Sequence, residues 1–160
     1  ACGFMALFQR EVSDAMNIPV FLSSLLQIPF ISHTLRPGRP IGVITANASV
    51  LTDAHFRAVG VGEDIPLVVR GMEEQEEFTG AVLEEKGSLD SEKVEEEVVG
   101  VARRMAEEEP FLGAIVLECS DLPPYAFAVQ QAVGLPVFDF YTMICHVHSA
   151  VVRHGFAGFM

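Results

Sequence analysis

The sequence predicts an α/β fold with a mostly parallel sheet flanked by helices. Two apolar runs, 41–46 and 113–119, have no polar alternation, which is typical of central strands buried on both faces. Segments with helical period lie between the apolar runs, and this alternation favours a parallel sheet. Because 50% of the 160 residues are apolar, the chain can build a real core.

The first elements are predicted to be a helix, a strand and a connection that contains a proline. Residues 4–16 carry an apolar stripe at helical spacing, which predicts an amphipathic helix. Residues 18–24 (IPVFLSS) predict a short buried strand, and 23–35 a helical or irregular connection broken by Pro29. The stretch RPGRP at 36–40 cannot continue a helix or a strand and is predicted to be a linker.

After this linker the alternation of strands and helices becomes regular. Strands are predicted at 41–46, 65–71, 113–119 and 135–139. Helices are predicted at 49–59, 88–110, 124–133 and 140–153. The longest helix has Ser88 or Asp90 as its predicted N-cap. Its predicted buried stripe consists of Val94, Val98, Val101 and Met105.

The composition argues against several classes of partner. The net charge of −12 disfavours binding to nucleic acid or to anionic membranes. No apolar stretch approaches the roughly 20 residues that span a bilayer, and no secretory signal pattern is found. The three cysteines are odd in number and widely spaced, which is typical of reduced thiols in a cytoplasmic protein.

Two of the cysteines are candidate reactive groups. Cys119 lies where the strand 113–119 turns into the next helix, and Cys2 directly precedes the helix 4–16. Backbone N–H groups and the positive end of a helix lower the pKa of a thiol at such a turn. We therefore expect Cys119 to be alkylated faster than Cys145. The structural alternative is that each cysteine is a small buried hydrophobic residue.

The third cysteine and the histidines do not predict a second site. Cys145 lies in the middle of a helix among apolar neighbours and is predicted to pack in the core. His146 and His148 point to different faces of that helix, which disfavours a metal site with Cys145. The other histidines are predicted to lie at the surface or to cap helices, namely His33, His55 and His154.

The order of segments in this chain resembles that of the aspartate/glutamate racemase superfamily. The resemblance rests on ACGFMALFQREV with IPVFLSS, then IGVITANASVLTDAHF, then GAIVLECSDLPPYAFAVQQAVGLPVFD. The superfamily also includes hydantoin racemases, maleate isomerases and arylmalonate decarboxylases. Its members have two similar α/β lobes, and each lobe gives one cysteine to a cleft.

The resemblance implies roles for particular residues. It implies that Cys2 and Cys119 are the catalytic acid and base, and that Asp121 poises Cys119. The residues that it implies in substrate binding are Gly3, Phe4, Ser23, Thr45, Asn47 and Ser120. Glu118 departs from the family pattern, which has glycine before the second cysteine. Gly3 and Phe4 also depart from it, since asparagine and threonine commonly follow the first cysteine.

The resemblance also implies a domain organisation. Residues 33–139 match a complete second lobe, whereas 1–32 and 140–160 match the remainder of a first lobe whose N-terminal part is missing. We therefore expect exposed apolar surface on the helices 4–16 and 140–153, and a chain that is poorly soluble, associated or inactive alone. The resemblance further implies a homo-oligomer.

The function that the resemblance implies is a cofactor-independent racemase or epimerase, an isomerase of an amino acid or related carboxylate. One cysteine, as a thiolate, removes a proton next to the carboxylate, and the other delivers one, without pyridoxal phosphate or metal. Two alternatives stay open. One is an enzyme like maleate isomerase or arylmalonate decarboxylase that uses the same cysteines, and the other is a carboxylate-binding module without turnover.

Overall fold

A four-stranded parallel sheet forms the centre of the computed structural model, which describes residues 2–155 and residue 158. The strand order is β2–β1–β3–β4, and each neighbouring pair is parallel. The strands are β1 (Ile41–Thr45), β2 (Leu67–Gly71), β3 (Ala114–Leu117) and β4 (Val137–Phe138). All four lie inside the ranges that the sequence predicts, so the α/β class with a parallel sheet is confirmed.

The N-terminal segment contains the predicted helix but not the predicted strand. A 3₁₀ helix over Gly3–Phe8 continues as α1 (Gln9–Ala15), which confirms the helix. The strand predicted at 18–24 is wrong, because the backbone there bonds to a side chain instead of a neighbouring strand. The side-chain amide of Gln9 donates to the backbone carbonyl of Val20 at 2.8 Å, and its oxygen accepts from the backbone N–H of Leu22 at 3.0 Å.

The connection to the sheet is helical, and its proline does not interrupt it. A 3₁₀ helix over Ser24–Gln27 leads into α2 (Ile28–Thr34). Pro29 lies in the first turn of α2, where a helix leaves its N–H groups without an internal partner. The predicted break at Pro29 is therefore wrong. The stretch 36–40 forms a loop between α2 and β1, as predicted.

Helices follow each strand of the sheet. They are α3 (Asp53–Ala58), α4 (Glu76–Phe78) with its π-helical continuation Thr79–Leu83, α5 (Ser91–Glu108), α6 (Ala126–Val133) after a 3₁₀ turn Pro123–Tyr125, and α7 (Phe140–Val151). Asp90 caps α5 through its side chain, and the predicted stripe of that helix is buried. In the described part of the chain, no helix is both long and apolar enough to cross a membrane.

Two apolar clusters cover the two faces of the sheet. Ile115 and Leu117 of β3 belong to the cluster beneath α5 and α6, which also contains Val98. Ala114 and Val116 belong to the cluster formed with the N-terminal segment, α2 and α3. Successive residues of a strand point to opposite faces, so burial of both faces explains why β3 is apolar throughout.

The segments assigned to the first lobe touch each other. The Thr142 hydroxyl on α7 donates to the Gln27 side-chain oxygen at 3.4 Å, which joins the N-terminal segment to the first turn of α7. The division into lobes remains a prediction, and residues 1, 156, 157, 159 and 160 of the predicted first lobe lie outside the described residues. Both terminal helices expose apolar side chains, as predicted: Met5, Leu7, Phe8, Tyr141, Ile144 and Val151.

The first turn of α7 depends on a capping box. Thr142 N–H donates to the Asp139 carboxylate at 2.7 Å, and Asp139 N–H donates to the Thr142 hydroxyl at 2.9 Å. We expect Asp139→Ala to lower the free energy of unfolding by about 1 kcal/mol, measured by urea denaturation. Ser149→Ala, on the exposed side of α7, serves as the control and is expected to change it by less than about 0.5 kcal/mol. Equal stabilities of the two variants would contradict the capping role.

Candidate active site

The candidate site lies at the carboxyl ends of β1 and β3. The chain runs from β1 to β2 on one side and then returns to β3 on the other, so these two strands border the switch point of the sheet. Ligands of open α/β sheets bind in the crevice at such a point. Thr45 ends β1, and Glu118 and Cys119 directly follow β3. Gly3 packs so closely on the Glu118 carboxyl group that a Cβ at Gly3 would overlap it.

Cys119 is buried, and its thiol lies beside Asp121. The sulfur donates to the Asp121 carboxylate at 3.5 Å. The pKa of Cys119 is raised to about 12, mainly by burial and also by the charges of Asp121 and Glu118, while the hydrogen bond from the Asp121 backbone N–H lowers it. The expected lowering of the Cys119 pKa is therefore wrong. A backbone N–H does act on the thiol as predicted, but loss of hydration outweighs it.

Cys2 occupies the N-cap position of the first 3₁₀ helix. Its backbone is extended, and its carbonyl accepts from the Met5 N–H at 2.9 Å. The side chain is half-buried and is not part of a disulfide. Of the two predicted catalytic cysteines, Cys2 is thus the more accessible. It is joined by one peptide bond to Gly3, and Gly3 contacts the residue that precedes Cys119.

The sequence identifies Glu118 only as a departure from the family pattern and predicts no role for it in the site. Its side chain is fully buried, and the Thr45 hydroxyl donates to its Oε2 at 2.7 Å. Its Oε1 is also buried and has no hydrogen-bond partner among the described residues. Burial raises the pKa of Glu118, and the hydrogen bond from Thr45 opposes this shift. The signal in the sequence was an acidic residue closing an otherwise apolar strand.

Ser24, a second residue absent from the prediction, ties the N-terminal segment to the end of β3. Its hydroxyl lies 3.2 Å from the carbonyl of Leu117 and 3.3 Å from that of Glu118. Both carbonyls lie where β3 ends, so the hydroxyl attaches the N-terminal segment to that end of the strand. Ser24 therefore fixes the backbone from which Glu118 and Cys119 project.

Of the other predicted binding residues, Thr45 and Ser120 lie beside Glu118 and Cys119, whereas Ser23 and Asn47 make local hydrogen bonds. Thr45 lies within the site through its contact with Glu118, and Ser120 is exposed next to Cys119. Ser23 is buried and accepts from the Leu25 N–H at 3.2 Å as a helix cap. Asn47 accepts from Ser49 N–H at 2.9 Å within a local turn.

Phe4 packs against His55 of α3. Its ring meets the edge of the His55 ring with a centroid distance of 5.5 Å. His55 itself forms a capping box with Thr52 at the start of α3, which confirms the predicted capping role. Phe4 thus belongs to the packing between the first helix and α3.

Cys145 is exposed, so its predicted place in the core is wrong. It lies on the outer side of α7, where Tyr141 and Ile144 are also exposed. Among the described residues, no group of three or more His, Cys, Asp or Glu side chains could hold a metal ion.

The chain is similar in sequence to lyases. No family model matches it. The dimethylsulfoniopropionate lyase of Durusdinium sp. clade D is 33% identical over 142 residues, which are 86% of this chain and 46% of that protein. Dimethylsulfoniopropionate lyase 5 of Emiliania huxleyi is 27% identical over 155 residues, which are 93% of this chain and 30% of that protein. The chain therefore spans less than half the length of these relatives.

The chain is similar in structure to allantoin racemase from Pseudomonas fluorescens. The TM-score is 0.50 at 18% sequence identity, over 81% of this chain and 51% of that one. The chain therefore has an α/β fold like that of allantoin racemase. The α/β class with a parallel sheet that the sequence resemblance implies is thereby confirmed.

The racemase or epimerase function that the same resemblance implied is wrong. The curated relatives that match nearly all of this chain are dimethylsulfoniopropionate lyases. Both the relatives in sequence and the neighbour in structure are enzymes, but they catalyse different reactions. A shared fold does not fix the reaction, because the reaction depends on the residues of the site.

The accessibility of the thiols predicts their order of alkylation, opposite to the one expected from sequence. At pH 7.5 iodoacetamide is expected to modify Cys145 roughly 100-fold faster than Cys119, because a buried thiol with a pKa of about 12 is almost wholly protonated. Peptide mass spectrometry over time measures both rates. In urea the two rates are expected to converge. Faster modification of Cys119 in the folded protein would contradict its burial.

Removal of the Asp121 charge is expected to change the pKa and the alkylation rate of Cys119. Asp121→Asn takes away a negative charge beside the thiol but keeps the backbone N–H. We therefore expect the Cys119 pKa to fall and its alkylation at fixed pH to accelerate by roughly tenfold per pKa unit. The pH dependence of Cys119 alkylation measures the shift, with Asp53→Asn on α3 as the control. An unchanged Cys119 profile would contradict the electrostatic role of Asp121.

Proposed function

We propose that this chain carries the elimination site of a lyase that cleaves dimethylsulfoniopropionate. The observation that carries the proposal is the match to dimethylsulfoniopropionate lyases over 86% and 93% of the chain. The cysteines at the carboxyl edge of the sheet supply groups that suit the chemistry.

The substrate itself defines the reaction. Dimethylsulfoniopropionate has a carboxylate on one carbon of a two-carbon unit and a dimethylsulfonium group on the other. A base removes a proton from the carbon next to the carboxylate, and that C–H electron pair forms the new double bond. The C–S bond breaks with its electron pair going to sulfur. The products are neutral dimethyl sulfide, acrylate and the protonated base, so the leaving group needs no proton.

The two cysteines are suited to unequal roles. We assign Cys2 as the base because it is the more accessible thiol. Cys119 remains a thiol near neutral pH, since its pKa is raised to about 12. The thiol has one proton, which it donates to Asp121 in the free site, so it would turn from Asp121 to the substrate carboxylate to stabilise the negative charge that develops there. Racemisation needs a base and an acid that exchange roles, whereas this elimination needs one base.

The charge of the site suits a cationic substrate. Asp121 is exposed beside Cys119, and its carboxylate can face the sulfonium group. The attraction between the Asp121 carboxylate and the sulfonium group would then help to orient the substrate.

Substitution of each cysteine tests the assignment. The 160-residue chain is expected to release dimethyl sulfide and acrylate, measured by headspace chromatography and NMR. Cys2→Ser is expected to lower kcat/KM by roughly 10² to 10⁴, because a serine hydroxyl is a far weaker base. Cys119→Ser is expected to cost roughly tenfold, since a hydroxyl also donates.

Cys145→Ser is the matched control, because that thiol is exposed on α7. It is expected to keep the parent kcat/KM. No release of dimethyl sulfide by the parent chain would contradict the proposed function. A Cys2→Ser variant with the parent rate would contradict the assignment of the base.

A further inference from the structure

The contact between Gly3 and Glu118 is a feature that the proposed reaction does not use. A Cβ built on Gly3 would meet three atoms first, and all of them belong to the Glu118 side chain: Oε1, Cδ and Cγ. Glycine is the residue that permits such close approach of backbone to another group. Since Glu118 is fully buried, its side chain has little room to move away.

Two other segments hold Glu118, one through its side chain and one through its backbone carbonyl. On β1, the Thr45 hydroxyl donates to Oε2 at 2.7 Å. From the N-terminal segment, the Ser24 hydroxyl lies 3.3 Å from the Glu118 carbonyl. The carboxyl group therefore stands between β1 and the Cys2–Gly3 turn, with its backbone fixed. A buried carboxyl group whose Oε1 has no hydrogen-bond partner among the described residues costs free energy, so the position calls for an explanation.

We propose that Glu118 is a positioning residue that joins the Cys2–Gly3 turn to the end of β3 and so fixes the separation of the two cysteines. Cys2 precedes Gly3, and Cys119 follows Glu118. Because neighbouring Cα atoms are about 3.8 Å apart, the Cα atom of each cysteine lies that close to a residue that makes the contact. Movement of the Glu118 side chain would therefore move one cysteine relative to the other.

The protonation of Glu118 supports this role. Burial raises its pKa, with an opposing hydrogen bond from Thr45, and this shift favours the neutral acid. A neutral carboxyl group can pack against the Gly3 backbone without a buried charge.

The close approach of the Glu118 side chain to Gly3 makes the contact testable by a double-variant cycle. In a Cys145→Ser background, we compare Gly3→Ala, Glu118→Ala and their combination. Glu118→Ala removes all three atoms that a methyl group at position 3 would overlap. The readout is the alkylation rate of Cys2 under conditions in which each variant is folded, measured by peptide mass spectrometry.

Each single substitution is expected to change the Cys2 rate at least about threefold, because the turn is displaced or released. The combination is expected to return to within about twofold of the parent, since the new methyl group occupies the vacated space. Independent effects would instead multiply. Glu118→Gln keeps the size of the side chain and can accept from Thr45, so it is expected to retain the parent rate.

A merely structural role of Glu118 gives a different result. Glu118→Ala would then lower the urea midpoint but leave the Cys2 rate of the folded protein unchanged, and that result would overturn the proposal. Multiplicative rates in the combined variant would overturn it as well. The importance of the cysteine separation for catalysis rests on the proposed lyase function. The Cys2 rates do not depend on turnover, so they test the positioning role even if the parent releases no dimethyl sulfide.

Discussion

One buried carboxyl group, that of Glu118, connects the parts of the candidate site. It receives a hydrogen bond from Thr45 at the end of β1 and fills the space beside Gly3. The sheet provides the fixed end of this arrangement, because β1 and β3 are paired along their length. The Cys2–Gly3 turn belongs to a segment outside the sheet and depends on side-chain contacts for its place. The relation of the two cysteines therefore rests on a contact between side chain and backbone rather than on a shared strand.

Burial determines how Cys119 can act. Its position after a parallel strand suggested a thiol activated by backbone N–H groups, and the Asp121 N–H does act in that direction. Removal of a thiolate from water costs more than one such hydrogen bond returns. Two neighbouring carboxyl groups add to this cost. Equivalent places in the chain pattern therefore do not make equivalent thiols, and the half-buried Cys2 differs from Cys119 in just this respect.

Sequence reasoning succeeded where local pattern and burial agree. The strands β1 and β3 are apolar throughout because both faces of the sheet are covered, and α5 shows its buried stripe directly. It failed at 18–24, where the apolar pattern resembled a strand but the Gln9 side chain satisfies the backbone. It also missed the role of Glu118, because the contact between Glu118 and Gly3 joins residues 115 positions apart in sequence. No local pattern records such a contact.

The fold and the proposed reaction are compatible because racemisation and elimination share their first step. Both begin with removal of a proton from the carbon next to a carboxylate, and both need the resulting negative charge to be stabilised. The reactions diverge afterwards. Without a leaving group, the carbanion can only be protonated again, whereas a sulfonium on the next carbon departs with the electron pair. A site with one accessible thiol and one protonated thiol can carry out the elimination, since the leaving group needs no acid. On this reasoning the substrate, and the charged residues that orient it, would separate a lyase from a racemase on the same fold.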